Sequence, residues 1–185
     1  MNRIITLLAA LTLSCTAWAG SWNMEAAGGF TQVHIYVPDT DSPIGNGKSL
    51  LIILHGCTQS ASGFTTANLD TVAEEYGMIM AAPEAAYKAG FGCWNYWSGA
   101  PMRTGFGNDY VNIFGLIDHL KGLHNIDENQ IYISGFSSGG AFAMETGCLA
   151  PDVFAGMGIT AGPSAGTGMG GSMGPKEGTV QSTVQ

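Results

Sequence analysis

The residues best suited to covalent chemistry lie in Gly135-Phe136-Ser137-Ser138-Gly139, a G-x-S-x-G pattern that follows directly on the apolar run QIYIS. A serine on a tight turn between a strand and a helix is a nucleophile. The leaving helix points backbone N–H groups and the positive end of its dipole toward the reacting oxygen. Gly135, Gly139, Gly140 and Ala141 keep the turn clear, where bulkier residues would collide with the entering strand or the leaving helix. A second stretch, His55-Gly56-Cys57-Thr58, ends the apolar run SLLIIL. In hydrolases with a nucleophile turn of this kind, an H-G turn here supplies one oxyanion-hole donor, and the residue after the nucleophile supplies the other. The expected donors are the backbone N–H groups of Cys57 and Ser138. His55 then lies on the oxyanion side, so a structural role is expected for its ring.

A nucleophilic serine needs a base. The last histidine of the chain is His124, upstream of Ser137, and the carboxylates downstream are Glu145, Asp152 and Glu177. Asp152 belongs to APDVFAG and reads as a turn residue. Asp118 and His119 resemble a pair, but adjacent helix residues point about 100° apart, so both are read as helix-surface residues. His34 and His124 have no motif around them. The sequence thus predicts a nucleophile whose base and acid lie outside this chain.

The elements that must carry these residues alternate. Gln32 to Val37 reads as a half-exposed strand, and SLLIILHG and MIMAAP as buried strands, with helical content from Phe64 to Tyr76 between them. Along that helix Leu69, Val72, Ala73 and Tyr76 form a stripe. A Gly/aromatic loop, AGFGCWNYWSGAP, precedes a helix over 109–123 capped by Asn108, with apolar residues at 110, 113, 114, 117 and 120. QIYIS, a small-residue helix from Ser138 to Leu149, and VFAGMGIT as a fourth buried strand complete the series. Strand–helix alternation implies an α/β fold, a mostly parallel sheet with helices on both faces. Residues 165–185 are rich in Gly, Ser and Met and have no period, so this part is expected to be poorly structured here. A sheet ending on the strand after the nucleophile helix would leave an apolar edge bare, which points to a domain truncated at that place.

The N-terminus reads as a signal peptide over residues 1–19: Arg3, the short apolar run IITLLAALTL, and a small-x-small site at Ala17-Trp18-Ala19. The run is too short to span a bilayer. Lipid attachment at Cys15 is a weaker alternative, because Thr12 stands where an apolar residue is preferred. Net charge is −8 without a basic cluster, which argues against nucleic acid and anionic membrane surfaces as partners. Loss of Cys15 on export would leave Cys57, Cys93 and Cys148, an odd number in an oxidising compartment.

LIILHGCTQSASGF, GCWNYW and NIDENQIYISGFSSGGAFAMETGCLAPDVFAG together closely resemble the polyhydroxybutyrate depolymerase-type esterases. These are secreted α/β-hydrolases that are similar in turn to feruloyl and acetylxylan esterases. The resemblance runs from about Ser49 to Thr160 and implies a Cys57–Cys93 bridge, a loop of roughly 35 residues worth a few kcal/mol. It also implies no metal or organic cofactor, an acyl-enzyme mechanism, and a polyester or other ester-bearing polymer as substrate. Trp94, Tyr96 and Trp97 are read either as a substrate-binding platform or as core covering the sheet end. The family's triad runs Ser, Asp, His along the chain, and this sequence departs from it by lacking the last two. The expected function is a secreted serine ester hydrolase of the polyester type, with Ser137 as nucleophile. The alternatives are an esterase of the feruloyl or acetylxylan type, or a non-catalytic hydrolase relic that binds polymer surfaces.

Overall fold

The structure, a computed structural model, describes residues 20–96 and 108–163. Residues 1–19, Trp97, Glu177 and the stretch 165–185 therefore lie outside the described residues. Among the described residues there are six strands and three α-helices. The strands are Trp22–Ala27 (β1), Phe30–Tyr36 (β2), Lys48–Leu54 (β3), Met78–Pro83 (β4), Ile126–Phe136 (β5) and Gly156–Thr160 (β6). The helices are Leu69–Tyr76 (α1), Asp109–Leu123 (α2) and Ser138–Leu149 (α3).

The strands form one sheet in the order β1-β2-β4-β3-β5-β6. β1, β2 and β4 are joined antiparallel, whereas β3, β4, β5 and β6 run parallel. The mostly parallel sheet expected from strand–helix alternation is thus present. Period-two alternation sorts β3 between two cores. Leu50, Ile52 and Leu54 join the larger core under α2 and α3, while Ile53 packs on the opposite face with Tyr36, Ala73 and Met80, against α1. Helices therefore cover both faces.

α2 follows its sequence pattern closely. Asn108 is extended and its side-chain oxygen accepts the Val111 N–H at 2.9 Å, while Tyr110, Ile113, Ile117 and Leu120 are buried. Other elements depart from the pattern. The helical stretch from Phe64 to Tyr76 is broken into a 3₁₀ turn, Ala61–Thr66, and α1, because Asn68 between them takes a left-handed conformation (φ 56°). The hydroxyls of Thr65 and Thr66 turn back onto the carbonyls of Ser62 and Gly63, closing the first piece locally. Of the expected stripe only Ala73 is buried, and Val72 and Tyr76 stay largely exposed. β1 has no counterpart in the sequence reading. Its hairpin partner β2 supplies its pairing, and it adds the side-chain contact Glu25–His119 (3.0 Å) to α2.

β6 is shorter than expected and exposed. Val153 and Phe154 belong to the turn before it, and Met157 and Ile159 are 47% and 39% exposed. Its only strand partner among the described residues is β5. The face away from α2 and α3 carries an open groove of about 380 Å³ between Leu51, Met78, Tyr132, Ser134 and Met157.

Tyr36 ties β2 to α1 by donating its hydroxyl to Glu74 at 2.8 Å. Burial, and then the bond to Glu74, push its phenol up to about 12. Because the folded state holds this proton more tightly than the unfolded chain, the stabilisation is complete below about pH 10 and is lost as the pH rises toward 12. We expect Tyr36, with the deeply buried Tyr110, to ionise last among the six tyrosines in an ultraviolet titration. Tyr36→Phe should flatten the loss of stability across that alkaline window, and an unchanged slope would show that Tyr36 is not its source.

Candidate active site

β5 ends at Phe136, and Ser137 turns the chain into α3 with φ 54° and ψ −118°. This conformation is strained for any residue with a side chain and costs on the order of 1–3 kcal/mol. It persists because the neighbouring backbones leave no alternative. A Cβ on Gly135 would lie 2.3 Å from the backbone of Gly139. One on Gly139 would lie 2.4 Å from the carbonyl oxygen of His55 and 2.5 Å from that of Leu54. The spacing G-x-S-x-G is thus the footprint of β5, α3 and the end of β3 meeting without side chains between them. The Ser137 N–H donates to Thr160 O at 2.9 Å, which locks the turn onto β6.

The H-G turn faces the serine. A Cβ on Gly56 would sit 3.3 Å from Cβ of Ser137 and 2.9 Å from the ring of Phe136. Three bonds hold this turn. Gly56 N donates to the Gln59 side chain (2.7 Å), Gln59 N donates to Gly56 O (3.3 Å), and His55 Nδ1 lies 2.8 Å from Gly56 O. His55 Nε2 accepts the Ala85 N–H at 3.3 Å, which places the ring proton on Nδ1 as donor to Gly56 O. The ring is buried, and both nitrogens are engaged in holding backbone. The Gly56 carbonyl and the Cys57 N–H belong to one peptide plane, so pinning the first fixes the direction of the second. Among the described residues no acceptor takes the Cys57 N–H. The N–H of Ser138, first residue of α3, has no partner within its own helix.

The aromatic loop is fastened to this turn twice. Cys57 and Cys93 form a disulfide, as the family resemblance implied, and Thr58 N donates to Phe91 O at 2.8 Å. The Trp94 ring is completely buried, packed 5.5 Å from the His55 ring and 5.0 Å from Phe142 of α3, and the backbone N–H of Trp94 donates to Ser138 Oγ (3.4 Å). Tyr96 is buried in the same core. The readings left open for these two residues resolve toward core: neither ring is available as a surface platform. Burial wins because an indole and a phenol at the sheet end cover more apolar area there than they could against water.

Sequence reasoning missed Asp109 and Gln59. Asp109 opens α2 and is buried, accepting from Ala86 N (3.2 Å), Tyr87 N (3.0 Å) and the Asn112 amide (3.2 Å). Burial raises its carboxyl above the usual range against the pull of those donors. With His55 it satisfies three successive N–H groups of the loop after β4. An acid in the first helical turn reads as ordinary dipole pairing, so the sequence carries no signal for this second task.

The four histidines are all described, and none stands at Ser137 Oγ. His55 is committed to backbone. His34 lies on β2, separated from β5 by β4 and β3, about 14 Å of strand spacing. His119 bonds Glu25. His124 precedes β5 and Ser137 follows it, so the two lie at opposite ends of that 11-residue strand. Asp118 is exposed on α2, and Asp152 lies in the turn before β6. Both line a cavity of about 420 Å³ at the opposite end of the sheet. Glu145 accepts the Tyr110 hydroxyl within the helix layer, and burial raises its carboxyl. Cys148 is a free, exposed thiol on α3.

The arrangement supplies a strained, half-exposed serine, the Gly56-Cys57 turn packed against it, and two backbone N–H groups, of Cys57 and Ser138, that take no acceptor among the described residues. Residues 34–172 match the family model of the esterase PHB depolymerases. The poly(3-hydroxybutyrate) depolymerase of Ralstonia pickettii is 37% identical over 86% of this chain and 36% of its own length. Feruloyl esterase B of Thermothelomyces thermophilus is 28% identical over 71% of the chain and 44% of its own. The chain therefore spans less than half the length of these curated relatives. In fold it is similar to the acetyl xylan esterase from Aspergillus awamori (TM-score 0.67, 24% identity, 79% of this chain and 53% of that one). It is also similar to poly(aspartic acid) hydrolase-1 from Sphingomonas sp. KT-1 (TM-score 0.59, 19% identity, 83% and 67%).

Two predictions test the site's construction. If the turn at Ser137 stores strain, Ser137→Gly will be more stable than Ser137→Ala by about 1–3 kcal/mol in urea unfolding, and equal stabilities would refute it. Replacing Cys57 and Cys93 together by alanine opens a link between residues 36 apart in sequence. It should cost about 4 kcal/mol in the chain-entropy view. A loss below about 1 kcal/mol would mean that the packing of Trp94 suffices to hold the loop.

Proposed function

The chain belongs to the esterase PHB depolymerase family, and from that premise we propose that it is the N-terminal part of the catalytic domain of an exported serine ester hydrolase. Its signal peptide would be residues 1–19, and its histidine and aspartate would come from sequence beyond Gln185. The observation that carries the reading is the backbone of Ser137, held in a conformation that only a crowded strand–helix turn enforces, with the Gly56-Cys57 peptide facing it. Two further facts support the placement of the missing groups. None of the four histidines reaches Ser137, and β6 leaves its apolar side chains exposed at the sheet edge.

In the proposed reaction Ser137 Oγ attacks the ester carbonyl while its proton passes to the histidine. The carbonyl oxygen, now an anion, accepts the N–H groups of Cys57 and Ser138. Collapse expels the alcohol, which takes the proton from the histidine and leaves an acyl-serine. Water then attacks by the same route, releasing the acid and restoring the hydroxyl. The two donors stabilise both tetrahedral states by a few kcal/mol each. They need no reorganisation, because His55, Gln59 and the disulfide fix the Gly56-Cys57 peptide beforehand.

For the substrate we favour an aliphatic polyester, following the 37% identity to the Ralstonia pickettii protein over 28% and 26% to feruloyl and acetylxylan esterases. The test uses the protein secreted by its native host. It should release hydroxyacid from polyhydroxybutyrate and hydrolyse p-nitrophenyl butyrate, and Ser137→Ala should lose about 10⁴-fold or more of both. Ester hydrolysis that survives Ser137→Ala would sink the proposal, and preferential cleavage of feruloyl or acetyl esters would move the substrate to plant polysaccharide.

A further inference from the structure

Phe91 is the most exposed large apolar side chain among the described residues, at 80%, and its backbone is left-handed with φ 63°. Each feature alone is unremarkable on a protein surface, where single apolar residues are common. Together they are costly: a bulky residue at positive φ is strained, and glycine or asparagine would relieve it. Among the described residues the ring belongs to neither core. The backbone around it is nonetheless held firmly. Ala89 and Cys93 close a tight loop (Ala89 N to Cys93 O, 2.9 Å), Gly92 N donates to Ala89 O at 3.1 Å, and Phe91 O accepts from Thr58. The Cys57–Cys93 disulfide fixes the base of this loop to the oxyanion turn.

The ring is thus presented rigidly, two bonded contacts away from the Gly56-Cys57 peptide that faces Ser137. Phe136 also lies against Gly56 of this turn and is 41% exposed. Two exposed aromatic residues, Phe91 and Phe136, are thus carried on backbone tied to or packed on the turn beside Ser137, backbone that does not have to be ordered on binding. Rigid aromatic side chains give apolar contact at low entropic cost. The sequence carries no cluster of Lys or Arg that would select an anion instead.

Resting on the esterase reading above, we propose that Phe91 is the apolar anchor that seats the protein on an aliphatic polyester surface, with Phe136 as its inner partner. The anchor acts in adsorption, before and apart from the chemistry at Ser137. This role replaces the one the sequence suggested for Trp94 and Tyr96, which are inside the core.

The experiment measures adsorption of the protein to polyhydroxybutyrate particles beside its turnover of soluble p-nitrophenyl acetate. Phe91→Ala and Phe91→Asn should lower the particle-binding constant about tenfold, the scale of removing one phenyl contact, with Phe91→Trp near the wild type. Turnover of the soluble ester should stay within about twofold, because Phe91 has no part in the acyl transfer. Both truncations should be at least as stable as the wild type, since they relieve or leave unchanged the backbone strain, so loss of folding does not confuse the result. Adsorption equal to wild type in Phe91→Ala, or no adsorption by the wild-type protein, overturns the anchor. Adsorption that depends on Phe91 in a protein with no Ser137-dependent hydrolysis upholds the anchor and overturns the esterase reading instead.

Discussion

The structure depends on one close approach. At the C-terminal end of the parallel strands, the first turn of α3 lies directly against the carbonyls of Leu54 and His55, with Gly135 and Gly139 leaving no side chain between. Everything at the site follows from this contact. It forces Ser137 into its strained backbone, aims the free N–H of Ser138 out of the helix start, and brings the Gly56-Cys57 peptide alongside the serine. A methyl group at either glycine would separate the layers by more than a side chain can absorb, because the opposing atoms are backbone.

Around this contact the protein spends its buried polar groups on backbone. His55 bridges Gly56 O and Ala85 N, Asp109 gathers the N–H groups of Ala86 and Tyr87, and Gln59 caps Gly56 N. These residues look chemically able in isolation. Their partners show that each is engaged in shaping loops, including the histidine that precedes the Gly56-Cys57 peptide. Buried polar groups are affordable only when so paired. The aromatic cluster of His55, Trp94, Phe142 and Tyr110 fills the space beneath. It transmits the position of the disulfide loop to α3.

The two halves of the sheet differ in completeness. β2, β3, β4 and β5 are each paired on both sides, and the α2–α3 face holds the larger core. β6 and the face beside Tyr132 and Ser134 present apolar groups to the surface. The Ser137 turn and the Gly56-Cys57 peptide belong to the packed part and are held by contacts within it.

Much of this was legible in the residues. The nucleophile turn, the H-G turn, the Asn108 cap and the buried runs of β3 and β4 are dictated by local rules of sterics, capping and hydrophobic period, which act within a few positions of sequence. The alternation of strands and helices likewise implied the parallel sheet. What the sequence could not contain is set between distant segments. Asn68 breaks a helix whose stripe reads well, β1 exists through its pairing with β2, and β6 turns out exposed for want of a described partner beyond β5. Trp94 and Tyr96 could be assigned only when the space under the turn was known, since an aromatic residue in a glycine-rich loop reads the same whether it faces water or core. Phe91 shows the converse. One phenylalanine between two glycines carries no period and no motif, and only a positive φ combined with high exposure, both properties of the folded chain, sets it apart.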